Sequence, residues 1–413
     1  MRELLADFDE DARTLINRDL ALLTAKPTLY VCNVDEAAVE TGNAHTEAFK
    51  KSVAAENAEV IMICAGIEHK MGIKGSATAT LNFGEDGKCI GELLGSERQG
   101  MRIMFHMMNE ARLEVGIQGL GHASAALEHA VQYAKERIQS TPVWEMKNPD
   151  AKAVPIIMHP DVRRDLLWMK AYVEGIRAMN LFVAFCLDMA KVGDTPEERA
   201  KYQGFAELLT PVCKAYSSDM ACLITSKAID VYGGYGYCRE YPVEQMMRDQ
   251  KINLIYEGTN GIQAMDLLGR KLGMKKGLYF MNLLGLTQAA IAEAKNIESL
   301  KAEAEIVERA LNACAATAMD FAKMLKTTPY VPLIAACDYL NCLSDALVGW
   351  LHIWMANVAT KALANATNDK DKAFYSGKIQ GAKFFINRIT DLVPAKVENL
   401  KKDEQSAMNI SEK

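Results

Sequence analysis

The sequence has no Cys-x-x-Cys pair. Its ten cysteines stand scattered at 32, 64, 89, 186, 213, 222, 238, 314, 337 and 342. That pattern argues against a zinc ribbon or a thioredoxin-like redox site, and no metal site is expected. Most of these cysteines sit in apolar helical stretches and read as small buried hydrophobes in a reducing compartment. Excess positive charge is lacking too. The net charge is −6 and no basic run interleaved with aromatics occurs, so nucleic-acid binding has no electrostatic footing. No Gly-x-x-x-x-Gly-Lys-[Ser/Thr] occurs, which removes the backbone cradle that a triphosphate needs. The most apolar stretch, residues 346–360, is bounded by Asp345 and Lys361. It is shorter than the roughly 18–20 residues of a membrane span and reads as a buried bundle helix. The first thirteen residues are acidic and carry no apolar core, so no signal peptide is expected and the protein reads as soluble and cytoplasmic. No short internal repeat is evident.

What remains is an ordinary globular balance of 50% hydrophobic and 24% charged residues in 413, enough for two or three domains. The chain changes character twice. Residues 1–66 read as mixed α/β, with β-rich runs at 26–34 and 59–65 flanking a helical stretch at 45–57. Residues 67–100 read as strand and turn, with polar–apolar alternation at 78–83 and a turn at 84–88. From 101 onward the pattern is helical. Met104, Met108, Ala111 and Val115 form one stripe, and Leu113, Ile117 and Leu120 a second beside it. Two adjacent stripes predict a helix buried over a wide arc. Further helices are expected near 160–191, 198–231, 242–253 and 259–272, with three or four more to about 400. The fold class is therefore mainly α.

One carboxylate stands out. Glu257 is the only charge between Lys251 and Asp266, at the break between two helical stretches. Thr259 or Asn260 is the expected N-cap of the second. A carboxylate at such a break can point into a cavity between helices. Among apolar neighbours its charged form is poorly solvated and its pKa should rise, which suits a general base. The same residue type at a helix break also serves as a cap or a surface charge. Upstream, Gly233, Gly234 and Gly236 give a backbone that a ligand can approach closely, or simply a C-cap and loop. They lack the strand–turn–helix setting of a dinucleotide fingerprint. The glycines of 116–121 lie within a helix and point to close helix packing. Arg112, on a largely apolar helix, needs an anion if buried.

These residues carry a resemblance. The segments IEHKMGIKGS (67–76), LLGSERQGMRIMFHMMNEARLEVGIQGLG (93–121), VYGGYGYCREYPVEQMMRDQKINLIYEGTNGIQ (231–263) and LLGRKL (267–272) appear in the order and spacing of the second half of an acyl-CoA dehydrogenase. Residues 159–179 and 374–389 look like the enlarged subgroup that includes 3-methylmercaptopropionyl-CoA dehydrogenase. The resemblance implies FAD-dependent α,β-dehydrogenation of an acyl-CoA thioester, with electrons passing to electron-transfer flavoprotein. It implies a C-terminal helical bundle over 101–272, an additional helical domain over 273–413, and a remnant of a β domain over 67–100. It places the base at Glu257. Some members carry the base directly before the arginine that aligns with Arg112, but here that position is Ala111, and Glu110 is about 100° away around the helix. Gly233, Gly234 and Gly236 would contact the FAD of a neighbouring subunit in an oligomer, and Thr259 and Asn260 the flavin of their own. Arg112 and Asn109 would line the acyl-CoA channel. Two family features have no counterpart: Asp230 replaces a glutamine before the glycine loop, and residues 137–160 lack the arginine that opens an Arg-x-x-Phe-Gly flavin motif.

Residues 22–44 and 58–68 resemble instead the end of the G domain of an Obg-related, ATP-preferring P-loop NTPase, with Asn33-Val34-Asp35-Glu36 as its base-reading motif. The two resemblances meet near residue 67, so the chain reads as a truncated α/β fragment over 1–66 joined to the back half of another enzyme. Two alternatives to catalysis follow: a non-catalytic oligomerising remnant, alone or with a full-length paralogue, and a nucleotide-binding module in the first segment.

Overall fold

The computed structural model describes residues 29–34, 43–53, 59–64, 70–76, 91–402 and 406–411. They fall into two compact units, Met1–Leu94 and Gly95–Lys413. In the first, β1 (Leu29–Val34) and β2 (Glu59–Cys64) pair in parallel, in register from Leu29↔Glu59 to Val34↔Cys64. Helix α1 (Ala44–Val53) lies between them in sequence, as a parallel pair requires of its crossover. Asn43 starts α1: its Oδ1 accepts from the backbone N–H groups of His45 and Thr46 at 3.0 and 3.1 Å. Asp35 and Glu36, and the strand and turn expected at 78–88, lie outside the described residues. The described parts of 67–100, residues 70–76 and 91–100, contain no strand.

Among the described residues the second unit is helical, apart from an isolated bridge between Ile138 and Pro155. Three long helices form its base: α2 (Gly100–Glu136), α3 (Pro160–Val192) and α4 (Pro196–Tyr232). Proline occupies the first position of α3 and α4, where its missing N–H is no loss. Thr195 caps α4, its hydroxyl accepting from the Glu198 N–H at 3.1 Å. The short α5 (Pro242–Gln250) and α6 (Asn260–Asp266) follow, and α6 runs into a π-helical turn over Leu267–Lys271. Beyond it come α7 (Leu278–Lys295), α8 (Lys301–Thr327), α9 (Tyr330–Ile334), α10 (Ala336–Ala364), α11 (Asp369–Arg388) and α12 (Val393–Leu400).

Helix α2 is buried on a narrower face than its two stripes predict. Met104 and Ile117 are exposed, while Leu113, Val115, Ala123, Ala126, Ala130 and Ala134 face the core. The reason is close approach. A Cβ on Gly119 would stand 3.1 Å from the Ser217 carbonyl oxygen of α4, and one on Gly116 would stand 2.6 Å from Asn180 Oδ1. Small residues let the α2 and α4 backbones meet, and the bulkier stripe residues turn away from that seam.

The expected boundary at 272/273 does not divide the core. Leu209 and Tyr216 of α4 belong to one buried cluster with Tyr339, Leu347 and Trp350 of α10. A polar link crosses the same seam: buried Tyr216 Oη donates to Asp345 Oδ1 at 2.6 Å, and half-exposed Lys396 Nζ of α12 lies 3.5 Å from Asp345 Oδ2. Residues 346–360 are the middle of α10, within that core. Among the described residues no helix is long and apolar enough to cross a membrane.

Candidate active site at the Glu257 turn

Between α5 and α6 the chain passes through a 3-10 turn (Lys251–Leu254) and then reverses. Glu257 (φ 56°) and Gly258 (φ 90°) are both in the left-handed region. For a glutamate that conformation costs about 1–3 kcal/mol, so its surroundings must impose it.

A polar frame does so from both sides. Upstream, the Tyr256 hydroxyl donates to Gln118 of α2. Asn253 Nδ2 donates to Gln250 Oε1 at 2.9 Å, and Gln250 Nε2 donates to the Ser218 carbonyl of α4 at 3.0 Å. His122 Nδ1 of α2 lies 2.9 Å from the same Gln250 Oε1. Downstream, Thr259 is the N-cap of α6, its hydroxyl accepting from the Ile262 N–H at 3.4 Å. Gln263 Nε2 donates to the Gly258 carbonyl at 3.2 Å. Asn260 Nδ2 is bonded to Asp219 Oδ1 (2.7 Å), Ser218 Oγ (3.0 Å) and the Ala215 carbonyl (3.2 Å), all on α4. Its Oδ1 accepts from Lys214 Nζ at 2.8 Å.

Glu257 itself is half-buried and acts electrostatically on Arg112, Lys214 and Tyr256. Arg112 is 5% exposed. Its nearest carboxylate, Asp266 of α6, stands 3.8 Å from Nη1, too far for a hydrogen bond. Its Nε and Nη1 have no hydrogen-bond partner, and neither does the buried Gln263 Oε1. Desolvation pulls the guanidinium below its ordinary value and Arg270 adds to that, while Asp266 and Glu257 oppose it. A buried cation left this incompletely paired is costly unless an acceptor completes it. Asn109 is half-buried on α2, three residues before Arg112, and Glu110 is exposed. Helix α2 therefore turns its arginine inward and its glutamate outward.

Lys214 was not singled out by the sequence, yet it is fully buried. Desolvation pushes its ammonium down to about 8, with Asp219 and Glu257 opposing and Arg112 adding. The available signal was a lone cation in the apolar run LLTPVCKAY of α4. Gln263 and Asp219 were missed for the same reason: their roles depend on which helices meet.

The glycine loop forms a second feature. Gly233 (φ 62°) and Gly234 would meet nothing within 4 Å if they carried a Cβ, so that stretch of backbone is open. Both line a cleft of about 550 Å³ with Arg137, Tyr133, Tyr232 and Tyr235. Gly236 differs from them. It is buried, and a Cβ there would strike the Ile229 carbonyl oxygen at 2.6 Å, so its lack of a side chain serves packing of the loop on α4. Asp230 also borders the cleft and pairs with Lys227 at 3.1 Å. Residues 137–160 contain no Arg-x-x-Phe-Gly motif. The motif's phenylalanine and glycine are absent, but Arg137 itself stands in the cleft wall, over the ring of Tyr235 at 5.6 Å. Open backbone, a cation and stacked tyrosine rings suit a ligand with phosphates and an aromatic base such as FAD. A larger cavity, about 990 Å³, lies elsewhere, between α2 and α3. Two of its cations already have partners: Lys170 donates to Glu174 at 2.7 Å, and Arg177 to the Ser124 hydroxyl at 2.9 Å.

Buried, incompletely paired charges at a helix junction are features of an enzyme interior. Comparison with known proteins gives the family. The acyl-CoA dehydrogenase C-terminal domain matches residues 98–272, and the acetyl-CoA dehydrogenase C-terminal-like domain matches 283–411. The helical unit belongs to the acyl-CoA dehydrogenase family. A butyryl-CoA dehydrogenase of Syntrophomonas wolfei is 37% identical over 353 residues, 84% of this chain and 57% of that protein. A 3-methylmercaptopropionyl-CoA dehydrogenase of Ruegeria pomeroyi is 36% identical over 333 residues, 79% of this chain and 54% of that protein. Among solved structures, Caenorhabditis elegans ACDH-11 in complex with C11-CoA matches with a TM-score of 0.67 at 20% identity, covering 85% of this chain and 55% of that one. That likeness is one of fold. The chain thus spans a little over half the length of these relatives. Neither family match reaches residues 1–66, and the G-domain resemblance finds no support.

Proposed function

We propose that this chain takes part in FAD-dependent α,β-dehydrogenation of an acyl-CoA thioester, with Glu257 as the base. The observation that carries the proposal is the Glu257 turn: a carboxylate forced into a left-handed conformation and framed by the buried cations Arg112 and Lys214. The Glu257 carboxylate accepts the α-proton and becomes the neutral acid. When bound, FAD supplies the acceptor for the hydride that leaves the β-carbon. Arg112, with two unpartnered nitrogens, offers donors to an acceptor entering the site, and Asn109 lies on the same helix face of approach. Gly233, Gly234 and Arg137 would hold phosphates of FAD from a neighbouring subunit of an oligomer, and Thr259 and Asn260 the flavin of their own. Electron-transfer flavoprotein is the proposed electron acceptor. The names of the relatives make butyryl-CoA and 3-methylmercaptopropionyl-CoA the first substrates to try.

The test is direct. Purified protein given FAD should retain a flavin absorbance band after desalting and should bleach with one of these thioesters. Glu257→Gln should keep the flavin and lose bleaching, by at least about a thousandfold in rate if the base is essential. A colourless preparation that takes up no added FAD overturns the proposal and leaves a non-catalytic bundle.

A further inference from the structure

Glu257 occupies a strained conformation, and something must prevent its turn from relaxing. Upstream, Tyr256 is held on Gln118 of α2, Asn253 on Gln250, and Gln250 on the Ser218 carbonyl of α4. Downstream, the bonds that reach the body of the bundle converge on a single side chain, Asn260. Thr259 and Gln263 only close α6 onto itself and onto Gly258.

We infer that Lys214 is a positioning residue for the proposed base: from inside α4 it grips Asn260, and through it fixes the Glu257–Gly258–Thr259 turn. The inference rests on the assignment of Glu257 as the base.

Three observations carry it. First, Lys214 is fully buried in the middle of α4 and its ammonium has one side-chain partner, Asn260 Oδ1 at 2.8 Å. A lysine in such a place would be replaced by an apolar residue at no loss to packing, so its presence calls for a use of its charge. Second, Asn260 has both ends of its amide engaged. Its oxygen accepts from Lys214, while its Nδ2 donates to Asp219 Oδ1 at 2.7 Å, one helical turn further along α4. The cation and the carboxylate grip opposite ends of one amide, which fixes its plane as well as its position. Third, the grip falls three residues after Glu257, at the first residue of α6. With the start of α6 fixed, Gly258 and Thr259 have little freedom, and the side chain of Glu257 is aimed.

Amide hydrogen exchange on the purified chain tests this without flavin or substrate. Lys214→Met should speed exchange of the amides over 256–262 at least about tenfold, with the core amides of α3 and α10 unchanged. Asn260→Ala, made from the less buried end of the bond, should speed the same amides by a similar factor. The double variant should be no faster than Asn260→Ala alone, because that change already removes the one contact Lys214 makes. Lys214→Arg, which keeps the donor and the charge, should restore slow exchange. The inference is overturned if the turn exchanges at the parental rate in Lys214→Met. It is equally overturned if the two single effects multiply, or if Arg and Met loosen the turn alike. Should Lys214→Met unfold globally, which the α3 and α10 amides would reveal, Asn260→Ala decides: unchanged exchange at 256–262 removes the clamp. A chain that never binds FAD would sink the proposed function and leave these rates as they are, so the two failures are distinguishable.

Discussion

At the scale of single residues, the site is a set of conformations and charges that each need support. Glu257 and Gly258 sit back to back at positive φ, and only the second is a residue that tolerates this freely. A Cβ on Gly258 would also come within 2.6 Å of Gln263 Nε2, the atom that bonds its carbonyl. Gly258→Ala is therefore expected to lower stability by about 1–3 kcal/mol and to weaken the proposed chemistry together with it; denaturant titration and substrate bleaching check the two halves. The sequence showed that Glu257 is isolated, that it lies at a helix break, and that Arg112 stands on an apolar helix. It did not show that Lys214, Asp219 and Gln263 would join them. Those three come from α4 and α6, and nothing in their local spacing records which helix lies opposite. Gly236 makes the converse point. In sequence it is equivalent to Gly233 and Gly234, but its neighbours in space make it a packing residue.

At the scale of elements, helices meet where small residues allow it. Gly175 of α3 faces α10, and a Cβ there would lie 2.3 Å from a Val348 methyl and 3.2 Å from His352 Nε2. Gly175→Ala should cost about 1–3 kcal/mol by forcing α3 and α10 apart. Gly121→Ala, in the same kind of helical position with nothing within 4 Å, should instead add up to about 1 kcal/mol. Chemical denaturation of the pair measures both signs. The α3–α10 seam also carries a pH dependence. His352 of α10 is buried, with Nε2 3.0 Å from the Ala171 carbonyl of α3. Desolvation pushes the imidazole down to about 4, against the opposing effects of Glu174 and of its bond to Ala171. Because the folded value is depressed, the unfolded chain binds the proton more readily. The contribution is whole above the ordinary value near 6.5 and is lost as pH falls from there toward about 4, in all about 3 kcal/mol. Urea midpoints from pH 4 to 8 should show this loss, and His352→Phe should flatten it.

At the scale of the whole molecule, residues 95–413 form one compact unit in which the α4–α10 core and the Tyr216–Asp345–Lys396 link span the two matched family regions. A chain beginning at Gly95 should therefore unfold in a single cooperative transition, with coincident far-ultraviolet dichroism and tryptophan fluorescence. Two separate transitions would mean that the regions before and after residue 272 fold independently. The sequence alone determined the helical class, the approximate helix spans and the position of Glu257 at a break, because hydrophobic period, proline, and capping residues act over a few neighbours. Tertiary structure alone decided which face of α2 is buried, that the two helical regions share one core, and that a buried lysine, an arginine and an amide surround the glutamate. Those outcomes depend on which backbones can approach most closely. That is settled between segments tens to more than a hundred residues apart, where local pattern holds no information.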